Sequence, residues 1–329
     1  MIARARRLGS IALVVAAVYA VPLVLGFDGF LVHVAVLIVM NSILALGLGL
    51  VFGYAGQLSM AHAAFYGIGA YAAANIALHA NLSFWWCLPL GALAAMAVAA
   101  LLTPVLVRMD GIVFALGTYA VGEIMRLVFV NWWQVTGGPQ GLAFPRHPEA
   151  IGRLTFTSRG AFYYIAATIL VLTYAALRTL MRTRLGWWFL AVRENRILAG
   201  SLGIDVALAK AVVFVIGAGI AGLTGVLYLY YFRHISPEAF TVWESILLVL
   251  ITMIGGVGTM AGPIVGAAVF LVLPEVLRLS PAVQPVLIGV VLILVVIVLP
   301  RGVVGTLRDA WRRARRAGAG GTATRSTPA

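Results

Sequence analysis

The chain has 329 residues, of which 63% are hydrophobic and 10% charged, with a mean hydropathy of +1.05. Soluble domains average roughly 25% charged residues, so a soluble fold is excluded. The 23 Lys and Arg against 10 Asp and Glu give +13, but they cluster at the ends of apolar runs, which is the charge pattern of membrane topology rather than of a nucleic-acid-binding face.

Crossing about 30 Å of hydrocarbon takes about 20 mostly apolar residues, and ten stretches qualify: 8–26, 30–52, 60–78, 84–107, 111–130, 161–180, 211–232, 239–257, 262–277 and 283–299. The expected fold is therefore an all-α polytopic integral membrane protein with glycine-broken helices. It is read as a single transmembrane domain over 1–316, carrying a cytoplasmic loop at about 182–210 and a disordered tail at 317–329. The basic start and first apolar run are read as a retained span, a cleaved signal being the alternative. Cys87 is the one cysteine and lies within an apolar run, so it forms no intramolecular disulfide or cysteine-based metal site and reads as a packing residue.

Orientation follows from Lys and Arg in short flanking loops, which stay on the cytoplasmic side. Arg4, Arg6 and Arg7 mark the N-terminus, Arg178, Arg182, Arg184, Arg193, Arg196 and Lys210 the central polar loop, and Arg301, Arg308, Arg312, Arg313, Arg315 and Arg316 the C-terminus. Six spans before that loop and four after it put all three regions on one side. Segment 130–160 then faces outward, turn-rich around Thr136 to Leu142, and carries Arg146, Arg153 and Arg159 against the rule with Glu149 as partial offset.

Two segments are poor simple helices. Residues 53–74 and 255–268 both crowd glycine, with Gly53 and Gly56 in one and Gly255 and Gly258 in the other at the same spacing. Such glycines serve either close helix packing or a chain break of the kind that lines a transport pathway. His33, His62, His79, His147 and His234 are scattered; His33 reads as a packing residue, whereas His62 shares its segment with Gln57 and Ser59.

Enzymatic constellations are scarce. The chain has no G-x-x-x-x-G-K-[ST] and no H-E-x-x-H, so it is read as a non-enzyme with no catalytic, metal or cofactor site of its own. Glu123 and Arg126 lie three apart in one span and are expected to pair on a helix face. Glu123 is otherwise the best carboxylate for an ion-coupled transporter, since Glu244 and Glu275 lie closer to span ends. In the central loop, a short amphipathic helix is expected from Ala191 to Ala199, ending near Gly203. Its surface suits a groove on a soluble partner or an anionic lipid surface equally.

Seven blocks occur in order: G-x-x-G-Q-L-S at 53–59 with His62, GIGAY at 67–71, GIVFALGTYAVGEI at 111–124, TGG with GL within 136–142, AVRENRILAGSLGI at 191–204, AGLTG at 221–225 and GGVGTMAGPIVGA at 255–267. Together they resemble the membrane permease subunits of bacterial ABC importers for branched-chain amino acids, the LivM-type subunit above all. The resemblance implies that Arg193, Glu194, Asn195, Leu202 and Gly203 belong to a coupling helix seated on an ATPase subunit. It also implies a second permease, two ATP-binding subunits and a periplasmic or lipid-anchored solute-binding protein, with ATP used by partners and the chain in the bacterial inner membrane. One departure is Tyr119 after Thr118, where the family pattern favours leucine.

The pathway is expected along Gly53, Gly56, Gln57, Ser59, His62, Thr118, Gly255, Gly256 and Gly258, carrying a small zwitterionic amino acid inward by alternating access. Importers of urea and short-chain amides share the pattern and are the alternative. An ion-coupled transporter using Glu123 and a membrane scaffold recruiting a soluble protein are the rivals from other classes.

Overall fold

The computed structural model describes residues 18–23, 26, 29–150, 156–277, 286, 289–290 and 302–307. The expected spans 8–26 and 283–299 lie mostly outside the described residues, and Arg153 and the tail 317–329 lie wholly outside them. Apolar segments in a bilayer must satisfy their own backbone amides, which makes helix the default. The described residues form α1 (Phe30–Leu48), α2 (His62–Ala80), α3 (Phe84–Leu106), α4 (Gly111–Asn131), α5 (Trp133–Thr136) and α6 (Arg159–Leu180). After these come α7 (Arg184–Glu194), α8 (Arg196–Ser201), α9 (Val206–Phe232), α10 (Val242–Gly255) and α11 (Gly262–Leu277).

Five helical segments among the described residues are long and apolar enough to cross a membrane: Phe30–Tyr54, Phe84–Leu106, Gly111–Asn131, Arg159–Leu180 and Val206–Phe232. Three expected spans differ. Helix α2 has 19 residues but a weakly apolar, alanine- and glycine-rich composition, and α10 and α11 have 14 and 16 residues. At about 1.5 Å per residue the last two reach only about 21–24 Å. The composition of α2 follows from its place. It is buried along most of its length, shielded by neighbours, so it needs small residues for packing rather than large ones for lipid.

That packing is a glycine seam. A Cβ at Gly69 would stand 2.1 Å from the Gly222 carbonyl oxygen, and one at Gly225 would stand 2.0 Å from that of Tyr66, so α2 and α9 approach at backbone distance. Gly91 of α3 joins from the other side, its Cβ position 3.0 Å from the Gly69 oxygen. By contrast α3 and α4 turn apolar faces outward, with Leu101 and Ile112 each 79% exposed, as lipid or a second membrane chain would require.

Two ends of the helix layer are distinct. At one, Leu142–Ala143 (β1) pairs antiparallel with His234–Ile235 (β2), tying the segment after α4 to the end of α9. The turn before it bends through Gly137, Gly138 and Gly141, all at positive φ. Glu149, expected only to offset the nearby arginines, accepts the Phe84 amide at 2.6 Å and so caps α3. His33 packs against Tyr231, its Nδ1 2.6 Å from that hydroxyl. At the other end lie α7 and α8. A single short helix was expected there, but the chain breaks at Asn195, whose side-chain oxygen accepts the Ile197 and Leu198 amides at 3.0 Å and starts α8.

Candidate functional site: two helix breaks joined by one arginine

Helix α1 does not stop cleanly. It widens into π-helical turns over Gly49–Tyr54, and the chain then runs without helix until His62. Widened turns of this kind loosen the backbone ladder and occur at functional positions. The second break, after α10, runs from Gly256 to the start of α11, with Gly256 and Gly258 at φ 120° and 78°. The two breaks touch: a Cβ at Gly53 would lie 2.8 Å from the Gly258 amide nitrogen. Gly255 is held as closely by its own loop, its Cβ position 1.8 Å from the Gly262 oxygen.

Arg193, at the end of α7, joins them. Its Nη1 donates a hydrogen bond to the Gly53 carbonyl. The missing side chain of Gly56 would meet the Arg193 Cγ at 3.2 Å, and that of Gly258 its Nη1 at 2.6 Å. Four of the glycine and loop residues singled out from sequence thus share one contact: Gly53, Gly56, Gly258 and Arg193. Gly256, the remaining glycine of the second break, meets Gly302, whose Cβ position is 2.4 Å from its Cα.

Deeper in the bundle the first break is lined with polar groups that find no partner. The side-chain atoms of Gln57, Ser59 and His62 are buried without a hydrogen bond among the described residues. Leaving such groups unpaired costs about 1–3 kcal/mol each. His62 sits between α1 and α9, with its Nε2 3.0 Å from the Cβ position of Gly47 and its Cε1 3.4 Å from that of Gly217.

The backbone of the break is held from other helices. Thr118 accepts the Met60 amide at 3.0 Å and donates back to the Phe114 and Ala115 carbonyls, while Ser245 accepts the Ala63 amide at 2.9 Å. Thr118 is therefore a fully buried fastener of the break. Ser245 was not among the expected residues; nothing in its local sequence signals a contact to a segment 182 residues away.

The loop between α3 and α4 adds a second brace. Asp110 pairs with both Arg196 of α8 and Lys210 of α9. Lys210 is almost fully buried, so Asp110 supplies the counter-charge that makes its position tolerable. Asp110, Lys210, Arg193 and Gln57 line one cavity of about 520 Å³ between the break and the α7–α8 segment. Glu194, Asn195, Leu202 and Gly203 are exposed, and Gly203 turns the chain at φ 85°. Beside them Ile197, Leu198 and Leu202 are 79%, 57% and 73% exposed, an apolar cluster bordered by Glu194, Arg196 and Asp205. Glu123 and Arg126 form the expected pair at 2.5 Å, about one third exposed.

The arrangement is that of a polytopic carrier whose broken helices are fastened to an exposed loop. Residues 30–296 match the family model described as branched-chain amino acid transport system / permease component, and the chain belongs to that family. It is 32% identical over 299 residues to the high-affinity branched-chain amino acid transport system permease protein LivM of Escherichia coli (strain K12), covering 84% of this chain and 70% of that one. LivH of the same organism is 26% identical over 300 residues, with 80% and 91% covered. The autoinducer 2 import system permease protein LsrC of Enterobacter sp. (strain 638) is 28% identical over 255 residues, with 74% and 71% covered. No solved structure matches the chain. The chain is thus a permease subunit of an ABC importer, a transport component rather than an enzyme.

Proposed function

We propose that this chain moves a branched-chain or closely related amino acid inward across the bacterial inner membrane, with both termini and the α7–α8 segment cytoplasmic. It works beside a second permease, two ATP-binding subunits that supply the ATP hydrolysis, and a periplasmic or lipid-anchored solute-binding protein. Segment 182–210 is the coupling loop of one transmembrane domain spanning about 1–316. Its exposed Ile197 and Leu202, with Glu194, Asn195 and Gly203, suit a groove on an ATPase subunit better than a lipid surface, because the apolar pair is flanked by both charge signs.

The carrying observation is Arg193 gripping the Gly53 carbonyl while packed on Gly56 and Gly258. A displacement of α7 by a partner reaches both helix breaks through one side chain. Gln57, Ser59 and His62, already desolvated and unpaired, offer weak polar contacts to a passing solute once the break opens. Weak contacts suffice if capture is left to the binding protein.

The test is uptake by the assembled complex in proteoliposomes with radiolabelled leucine. Arg193→Ala is expected to keep ATP hydrolysis within about twofold and to lose uptake at least tenfold. Wild-type uptake by that variant would overturn the coupling role. Uptake that persists without the ATPases and collapses with the proton gradient would overturn the importer reading, and transport of urea in place of leucine its substrate.

A further inference from the structure

Helix α10 begins deep in the bundle, and its first turn carries Glu244. The carboxylate opens onto a cavity of about 230 Å³ also lined by Asn41, Leu37 and Leu44 of α1, Tyr66 of α2 and Tyr228 of α9. The cavity runs from Phe232, the last residue of α9, inward to Asn41. Asn41 stands near the middle of the 25-residue segment Phe30–Tyr54, about 16 Å from the start of that segment at 1.5 Å per residue. Among the described residues no Lys or Arg pairs with Glu244, and the three ion pairs found lie elsewhere.

A carboxylate at this depth is costly against lipid and is expected to face a water-filled pathway or a partner group. Its first-turn position makes the charge tolerable through the helix dipole, but that does not account for the mixed polar and apolar cavity in front of it. The walls are specific. Tyr66 and Tyr228 stand with ring centroids 5.4 Å apart, nearly perpendicular. Asn41 donates one amide N–H to the Leu37 carbonyl at 3.0 Å, and its amide oxygen is a further acceptor on the wall. One anion, two π surfaces and a carbonyl-type oxygen are the groups that hold a primary ammonium, and Leu37 and Leu44 add an aliphatic wall. At about 230 Å³ the space lies below the roughly 300–1,000 Å³ of drug-sized sites, the scale of a molecule with few heavy atoms.

We infer that the Glu244 cavity is a way-station for the cargo ammonium group, with Glu244 as its counter-ion, Asn41, Tyr66 and Tyr228 as its cage, and Leu37 and Leu44 against an aliphatic side chain. The inference rests on reading the chain as an amino-acid importer. It also sharpens that reading, because urea and simple amides carry no cation for Glu244 to hold.

Two measurements test it. In proteoliposomes holding the complete importer, Glu244→Gln is expected to cut ATP-driven leucine uptake at least tenfold while ATP hydrolysis stimulated by the binding protein stays within about twofold, and Glu244→Asp is expected to recover part of the loss. Wild-type uptake by Glu244→Gln overturns the inference alone. A wild-type complex that hydrolyses ATP yet takes up no amino acid overturns the importer reading and the inference with it. Independently of transport, Ala239→Cys, placed on the cavity wall with Cys87→Ala to remove the native thiol, is expected to react at least fivefold faster with an aminoethyl than with a sulfonatoethyl methanethiosulfonate. Glu244→Gln is expected to abolish that preference and added leucine to slow the reaction. Equal rates with both reagents in the Glu244-bearing protein overturn the site even if every Glu244 variant proves too unstable to assay.

Discussion

Asp110 is one side chain serving two cations on two helices, and its loss is not symmetric. Arg196 is half exposed and finds water, but Lys210 has only 7% of its side chain exposed. Removing one partner of a buried pair costs about 3–5 kcal/mol when both ions are enclosed, and the 42% exposure of Asp110 reduces that. Asp110→Asn is expected to lower the unfolding midpoint of the detergent-purified complex by several degrees. Asp110→Asn combined with Lys210→Met is expected to recover most of the loss, since the stranded charge goes with the lysine; differential scanning fluorimetry reads both. Thr118 presents a parallel case. Thr118→Val keeps the shape but strands the Met60 amide, so a loss of about 1–3 kcal/mol is expected, seen as a lower midpoint and lower uptake together, whereas Thr118→Ser is expected to retain both.

Helices α2 and α9 meet through glycine, so their contact tolerates no added atom. Gly225→Ala drives a methyl into the Tyr66 carbonyl at 2.0 Å, and overpacking of this kind costs about 1–3 kcal/mol. The expected outcome is a lower unfolding midpoint and broader size-exclusion profile. Gly200→Ala is the contrast: it lies inside α8, its Cβ position meets only Val206 Cγ2 at 3.9 Å, and a neutral or slightly raised midpoint is expected. Much of this level was legible in the sequence, because apolar runs, glycine crowding and terminal basic residues are local signals. What it did not carry is informative. The brevity of α10 and α11 and the internal position of α2 depend on what surrounds them, and apolar composition alone reads a shielded helix and a spanning one alike. The break at Asn195 had a local sign, an asparagine ahead of a short helix, that the amphipathic reading of 191–199 overran.

For the whole molecule, the two glycine segments and the basic loop were recognisable separately, but their meeting was not. Arg193 and Gly53 are 140 residues apart, and no periodicity links them. Longer separations in sequence hide Ser245 on Ala63 and Glu244 beside Asn41. The joined arrangement yields an assembly-level expectation. Ile197→Glu with Leu202→Glu is expected to reduce co-purification of the ATPase subunits at least tenfold without changing membrane insertion, whereas Glu194→Lys or Gly203→Val is expected to leave the complex assembled but hydrolysing ATP without uptake. Gly203→Val also forces a branched residue to φ 85°, so a thermal check accompanies it.

The seating of Gly302 against Gly256 carries a practical consequence. The short helix 302–307 begins on the second break, and Leu307 within it is 65% exposed. A fluorophore attached at Leu307→Cys would sit clear of the second break yet ride on backbone that abuts it. Its spectrum during ATP turnover would then serve as a remote gauge of movement at that break, recorded without adding an atom to the proposed route.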